Sequence, residues 1–268
     1  SHLATKAAEK ALEDSGIAAE DIDLIIVATI TPDTLTPATA CYVQENLGAK
    51  KAVAFDISAA CSGFLYAMKL AKRMIEGGAS TNALIIGAEK LSAFVNWEDR
   101  TTCVLFGDGA GALILEARED AGDRGILATD LHSDGRYRDM LYVDGGVSTT
   151  GTSGKLRMQG NPLFRQAVDK LASTAITALD RAGLTGADVD WIVPHQANIR
   201  IIAGTAKKLG LSMDRVILTV QDHGNTSAAS IPLALSIGVA DGRIREGDLI
   251  LSEAIGGGLA WGAVVLRW

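Results

Sequence analysis

LEDSGIAAEDIDLI at residues 12–25 and LDRAGLTGADVDWI at residues 179–192 are two copies of one pattern, held at a constant offset of 167 residues. Leu12 matches Leu179, Gly16 matches Gly183, and Asp21 and Asp23 match Asp188 and Asp190. Each copy reads as an amphipathic helix, a glycine stop, a short loop and a buried strand. Working outward, the match continues with small shifts. A helix ending at Leu47-Gly48 parallels one ending at Leu209-Gly210, and a strand at Ala52–Ile57 parallels Val216–Val220. Strands at Ala83–Ala88 and Asp248–Glu253 follow, and each copy closes on a glycine-rich turn and an apolar strand, GDGAGALILEA (107–117) and GGGLAWGAVVLRW (256–268). Alternating strands and helices in two related units predict an α/β fold of stacked layers, with halves at 1–122 and 123–268. The second unit carries a strand-like segment, Gly125–His132, and a loop ahead of its helix near Pro162. The first has no counterpart of this, so by comparison roughly 35–50 residues are expected to precede it in the natural chain.

The bulk properties exclude several classes. The chain of 268 residues is 48% hydrophobic and 21% charged, with no apolar run long enough for a bilayer and no secretory leader. A net charge of −7 argues against bulk nucleic-acid binding. Cys41, Cys61 and Cys103 are odd in number and widely spaced, which suggests a reducing cytosol rather than a disulfide framework or a metal site.

Chemistry concentrates in three places. In FDISAACSGFLYAMKLAKRMIEGG (55–78), Cys61 stands where a strand turns into a helix, flanked by Ala59, Ala60 and Gly63. Small neighbours allow a tight elbow and close substrate approach, and a helix N-terminus favours a thiolate. Cys41 on a helix pattern and Cys103 in an apolar strand read as structural. In DWIVPHQANIR (190–200), Pro194 breaks a strand and presents His195 at its carboxyl end, where ligands of parallel α/β sheets gather. In DHGNTSAASIPLAL (222–235), Asn225 follows Gly224 in the second copy's elbow, the slot matched to Cys61. A thiol, an imidazole and a carboxamide from two symmetry-related elbows are expected to meet in one crevice.

Together AACSGF (59–64), DRTTCVLFGDGAGA (99–112), VPHQANIRI (193–201), HGNTSAASIP (223–232) and EAIGGGLAWG (253–262) resemble the β-ketoacyl-acyl-carrier-protein synthase III family over essentially the whole chain. The resemblance implies a thiolase fold, with duplicated halves in five α-β-α-β-α layers. It implies a cytoplasmic, homodimeric acyltransferase of type II fatty acid synthesis. Such an enzyme joins an acyl-CoA substrate to malonyl-acyl-carrier protein and needs no cofactor and no metal. A synthase priming a quinolone or polyketide pathway, or an impaired CoA or carrier-protein binder, is the alternative. On this resemblance Cys61 is the nucleophile and His195 and Asn225 bind the malonyl thioester oxygen. The N–H groups of Cys61 and Gly257 form the oxyanion hole. Arg100, Asn161, Phe164, Ala197 and Asn198 match positions around CoA. Arg165, Arg200, Lys207 and Lys208 match a basic patch that docks the carrier protein. Thr36 and Ile255 stand where many members carry Phe at the acyl tunnel, so starters longer than acetyl are expected. The loop 31–38 and the strand 52–57 are the expected dimer contacts.

Overall fold

The computed structural model describes residues 1–268. The repeat seen in the sequence is a repeat in space. Helix α1 (His2–Ser15) ends on left-handed Gly16, and α4 (Gly160–Ala182) ends on left-handed Gly183. Strand β1 (Leu24–Ala28) follows the first and β8 (Trp191–Ile192) the second. The matched aspartates do the same work in both copies. Asp23 accepts the N–H groups of Thr81 and Asn82, at the start of β3 (Asn82–Lys90). Asp190 accepts the N–H of Leu249, at the start of β9 (Leu249–Gly256). The parallel registers then agree to the residue: Leu24 pairs with Ala83 and Trp191 with Ile250, each shifted by the same 167.

Each half builds a sheet. The first has the order β2-β1-β3-β4, with β2 at Val53–Ile57 and β4 at Asp108–Glu116. The second has the order β5-β10-β9-β8, with β5 at Gly125–Ser133 and β10 at Ala260–Arg267. A hairpin of β6 (Leu141–Val143) and β7 (Leu156–Met158) stands apart from both. Strand alternation sorts the side chains into layers. Leu24 and Ile26 of β1 face a core shared with Ile250 and Ala254 of β9, and this core holds Phe64, Met68, Ile231 and Leu235. Those four lie on α3 (Gly63–Glu76) and α7 (Ser230–Ala240), which form the central layer. Ile25 and Val27 face the other way, onto α1 and α2 (Thr39–Leu47). Leu249 and Leu251 likewise face α4 and α5 (Ile199–Leu209). The result is five layers, α-β-α-β-α. Because α7 is covered by a sheet on either side, its sequence is apolar all round.

Three local expectations are corrected. Val216–Val220 is not a strand: Val216 makes one bridge to Ile192, and the chain then turns into the short α6 (Val220–His223). The buried carboxamide of Gln196 forces this turn, since its oxygen accepts the N–H groups of Thr219 and Val220. Cys103 lies in a run of tight turns, not a strand, because the Asp99 carbonyl accepts from Thr102 and Cys103 while its carboxylate accepts from Thr101. Third, the elbow counterpart of Cys61 is Ala228. The first elbow opens with Ala60 at φ 46 and passes through a short 3-10 turn into α3. The second opens with Ser227 at φ 51 and passes through the same turn into α7. Asn225 therefore stands three residues before the matching position.

The two elbows lock the halves together. A Cβ on Gly87 of β3 would lie 2.2 Å from the carbonyl oxygen of Ala228, and one on Gly256 of β9 would lie 2.5 Å from the Cys61 nitrogen. Each elbow thus seats on the other half's central strand at a residue without a side chain. Gly87→Ala is expected to cost about 3 kcal/mol or more, because backbone would have to move. Gly135→Ala, with nothing within 4 Å of the added carbon, is the control. Denaturant unfolding that gives both variants the same midpoint contradicts the interlock.

Candidate active site

Cys61 is buried in the turn Ala60–Ser62 that opens α3. It lines a cavity of about 430 Å³. The walls are Ile30, Leu91, Phe106, Leu141, Val143 and Leu156, and Ser227, Gly257 and Gly258 line it as well. Burial pushes the Cys61 thiol up to about 12, against a lowering contribution from the Ser227 hydroxyl. The expected helix-start activation is thus outweighed: the thiol is protonated at rest, since a thiolate in an apolar pocket loses more hydration than nearby dipoles return.

His195 follows β8, and its N–H donates to the Glu253 carbonyl at 2.8 Å. Its ring is buried, which holds the imidazole neutral, lowered to about 4. Nδ1 lies 2.7 Å from the Ser230 hydroxyl. That same oxygen accepts the Gln196 N–H at 3.3 Å. The hydroxyl makes no other hydrogen bond that could take its proton, so that proton is assigned to Nδ1 and the ring's own proton to Nε2 as a donor.

Asn225 is pinned by backbone. Its N–H donates to the Leu105 carbonyl at 2.8 Å, and its carbonyl accepts from Gly107 at 2.9 Å. Gly224 before it has φ 66, and a Cβ there would lie 3.0 Å from the Leu105 oxygen, so this approach needs glycine. The carboxamide oxygen accepts the Ser227 N–H at 2.9 Å, which leaves the amide N–H₂ as the outward donor. The carboxamide is thus bonded to Ser227, which lines the thiol's cavity, and the imidazole to Ser230 at the start of α7. The turn 227–230 bonds both neutral donors and reaches the thiol's cavity at Ser227.

The remaining expected residues divide. Gly257 lines the Cys61 cavity, and Gly256 abuts the Cys61 nitrogen. Phe164, Ala197 and Ile255 share one apolar cluster with Leu163 and Ile201 between α4 and α5. Ile255 does not itself line the cavity, but its cluster includes the cavity residue Leu141. Thr36 is exposed on its loop and is likewise absent from those walls. Asn198 caps α5, accepting from the N–H groups of Arg200 and Ile201, and Asn161 is exposed in the first turn of α4. Arg100 is exposed on the 97–105 turns and makes no ion pair. Arg165, Lys207 and Lys208 are exposed on α4 and α5; Lys208 pairs with Asp169 at 2.5 Å, and Arg200 lies over the Phe164 ring at 5.5 Å. Sequence reasoning missed Ser230, Ser227 and the walls. Leu141 and Leu156 carry no sequence signal, being short hairpin strands in a glycine- and threonine-rich stretch.

No group of three or more His, Cys, Asp or Glu side chains is placed to hold a metal ion, and no helix is long and apolar enough to cross a membrane.

Two interlocked α/β halves with a cysteine at one elbow and His and Asn around the other define a thiolase-fold condensing enzyme. Residues 55–135 match the family described as 3-oxoacyl-[acyl-carrier-protein] synthase III, and residues 179–268 match its C-terminal model. The β-ketoacyl-[acyl-carrier-protein] synthase III of Ruegeria sp. (strain TM1040) is 65% identical over all of this chain and 84% of its own length. A crystal structure of 3-oxoacyl-[acyl-carrier-protein] synthase III from Aquifex aeolicus VF5 superposes with a TM-score of 0.94 at 48% identity, covering 99% of this chain and 83% of that one. The priming β-ketosynthase of the R1128 polyketide pathway superposes at 0.92 with 34% identity, covering 98% and 80%. The chain belongs to the β-ketoacyl-acyl-carrier-protein synthase III family.

Nuclear magnetic resonance of the imidazole nitrogens tests the assignment at His195. A neutral ring protonated on Nε2 is expected down to about pH 5, with the bias lost in Ser230→Ala. A ring that titrates near its ordinary value of 6.5 contradicts it.

Proposed function

We propose that the chain catalyses a decarboxylative Claisen condensation of an acyl-CoA with malonyl-acyl-carrier protein, yielding 3-oxoacyl-acyl-carrier protein, CoA and CO₂, as the first condensation of type II fatty acid synthesis. The halves 1–122 and 123–268 divide the work. The first supplies the thiol, and the second supplies two hydrogen-bond donors. The single observation that carries this reading is the largely apolar cavity lined by Cys61 and by Ser227, whose N–H fixes the Asn225 carboxamide three residues from the Ser230 that bonds His195.

In the first step the Cys61 sulfur attacks the acyl-CoA carbonyl. The N–H groups of Cys61 and Gly257 receive the developing oxyanion, and CoA leaves. In the second step malonyl thioester enters, and its C–C bond to the carboxylate breaks. The electron pair becomes an enolate whose oxygen accepts from His195 Nε2 and the Asn225 amide. Neutral donors suit this step, because an imidazolium would hand the enolate carbon its proton before it attacks. Removing one such preorganised donor typically costs about 3–4 kcal/mol of transition-state stabilisation. The enolate carbon then attacks the Cys61 thioester, the carbon–sulfur bond breaks, and the departing thiolate takes one proton from solvent to restore the thiol. Acyl-CoA is a substrate here, and the chemistry calls for no further cofactor.

Phe164, Ala197, Asn198, Asn161 and Arg100 are the proposed CoA contacts, and Arg165, Arg200, Lys207 and Lys208 the docking face for an acidic carrier protein. Lys208 works there only after releasing Asp169. Edge strand β2, with Val53 61% exposed, and Leu35, 79% exposed on the 31–38 loop, form the proposed homodimer contact. Thr36 reaches a partner's tunnel through that loop. The cytoplasm is the proposed compartment. The 65% identity to named synthases favours fatty acid initiation over polyketide priming, where the likeness is 34%.

A cavity of about 430 Å³ falls in the range that holds drug-sized ligands, about 300–1,000 Å³, so starters longer than acetyl fit. Intact-protein mass after exposure to acyl-CoAs of rising chain length is expected to show one acyl group on Cys61 well past acetyl, and none on Cys61→Ala. Leu156→Trp should return the preference to acetyl. His195→Ala and Asn225→Ala should still acylate, with malonyl decarboxylation lowered by roughly a hundredfold or more. Equal labelling of wild type and Cys61→Ala, or a sharp cut-off at acetyl, contradicts the reading.

A further inference from the structure

His195 cannot take the thiol proton without surrendering its role. Its Nδ1 already accepts from Ser230, and its Nε2 carries the donor proton. Protonated at rest, Cys61 needs another acceptor before it can attack. The strand LIIGAE (84–89) ends on the one acid in an apolar run, Glu89, which is 2% exposed. Its Oε2 accepts the Ile30 N–H at 3.1 Å, the Thr31 hydroxyl at 2.8 Å and the Thr29 hydroxyl at 3.3 Å. Its Oε1 is buried with no partner, and so is the Ser227 hydroxyl. Buried polar atoms are nearly always paired, so two orphans beside a nucleophile ask for a role. Glu89 stands two residues along β3 from Gly87, which abuts the Ala228 carbonyl beside Ser227, and Ser227 lines the same cavity as Cys61. In the resting state the Ser227 hydroxyl makes no hydrogen bond.

We propose that Ser227 and Glu89 form the proton path of Cys61. As sulfur bonds to the acyl carbon, the thiol proton passes to Ser227 Oγ, and the Ser227 proton passes to Glu89 Oε1. The S–H bond and the carbon–sulfur bond to CoA break, and the sulfur–acyl bond forms. The departing CoA thiolate then regains a proton from Glu89 along the same route, which leaves all groups as they began. This path rests on the proposed acylation of Cys61.

The surroundings suit an acceptor. Burial raises Glu89 to about 7, so its carboxylate is a far better base than the His195 ring. No cation forms an ion pair with it. Lys90, next along β3, is exposed, and Asp108 across on β4 is tied to Ser92. From α3 and the turn 227–230, Cys61 is the titratable group that bears on it. The opposing effect is charge: an ionised Glu89 also raises the thiol. The two effects predict opposite signs for removing the carboxylate.

Alkylation of Cys61 by iodoacetamide, followed across pH by peptide mass spectrometry on the full chain, decides between them without any acyl-CoA. Wild type should show an inflection near pH 7. Glu89→Gln and Ser227→Ala should each alkylate roughly tenfold to a hundredfold slower and lose that inflection, while Glu89→Asp keeps part of it. Unchanged profiles, or faster alkylation of Glu89→Gln, overturn the proposal. Should Glu89→Gln fail to fold, Ser227→Ala tests the same path on its own. If the alkylation profiles behave as expected and acyl-CoA leaves no acyl group on Cys61, the function reading fails and the proton path stands.

Discussion

The structure depends on a reciprocal steric lock. Each half offers a strained strand-to-helix elbow, and each elbow lies against the other half's central strand where that strand carries glycine. Gly87 receives Ala228, and Gly256 receives Cys61. A methyl group at either contact would overlap backbone. This lock sets the distance between the halves, and the site inherits it. Cys61 sits on one elbow, and the residues that aim His195 and Asn225 sit on the other.

The lock also dries the site, and dryness governs its electrostatics. The same burial keeps the thiol protonated, the imidazole neutral and the Glu89 carboxyl near neutrality. Each shift disfavours a charged form, as desolvation does. Chemistry that creates an enolate is well served here, because neutral donors fixed in advance stabilise a developing charge without reorganisation. Ser230 and the Ser227 N–H fix the two donors, so the turn 227–230 orients the imidazole and the carboxamide.

Much of this was legible in the sequence, because a duplicated fold writes itself twice. The helix, glycine stop and paired aspartates at an offset of 167 placed β1 and β8 correctly, and Cys61 stood out among three cysteines by its small neighbours. Other features depend on contacts between distant segments. Val216–Val220 has the apolar content of a strand, yet Gln196 takes its amides from across the chain. The elbow match falls three residues off although the offset of 167 itself carries Cys61 to Ala228; the polar Asn225 draws the assignment away, and the positive φ at Ala60 and Ser227 confirms the register. The cavity walls come from several separate segments and follow no period. Glu89 did carry a signal, a lone acid in an apolar strand, which pattern reading passed over.

A crystal structure of the chain soaked with a medium-chain acyl-CoA would bear most directly on the convergence of both halves at one thiol. A thioester on Cys61 is expected, its chain between Leu91, Phe106, Leu141 and Leu156, its carbonyl oxygen at the N–H groups of residues 61 and 257, and both donors facing the sulfur. An acyl group on another residue, or a Cys61 thioester whose chain leaves that cavity and whose sulfur is remote from His195 and Asn225, would contradict it.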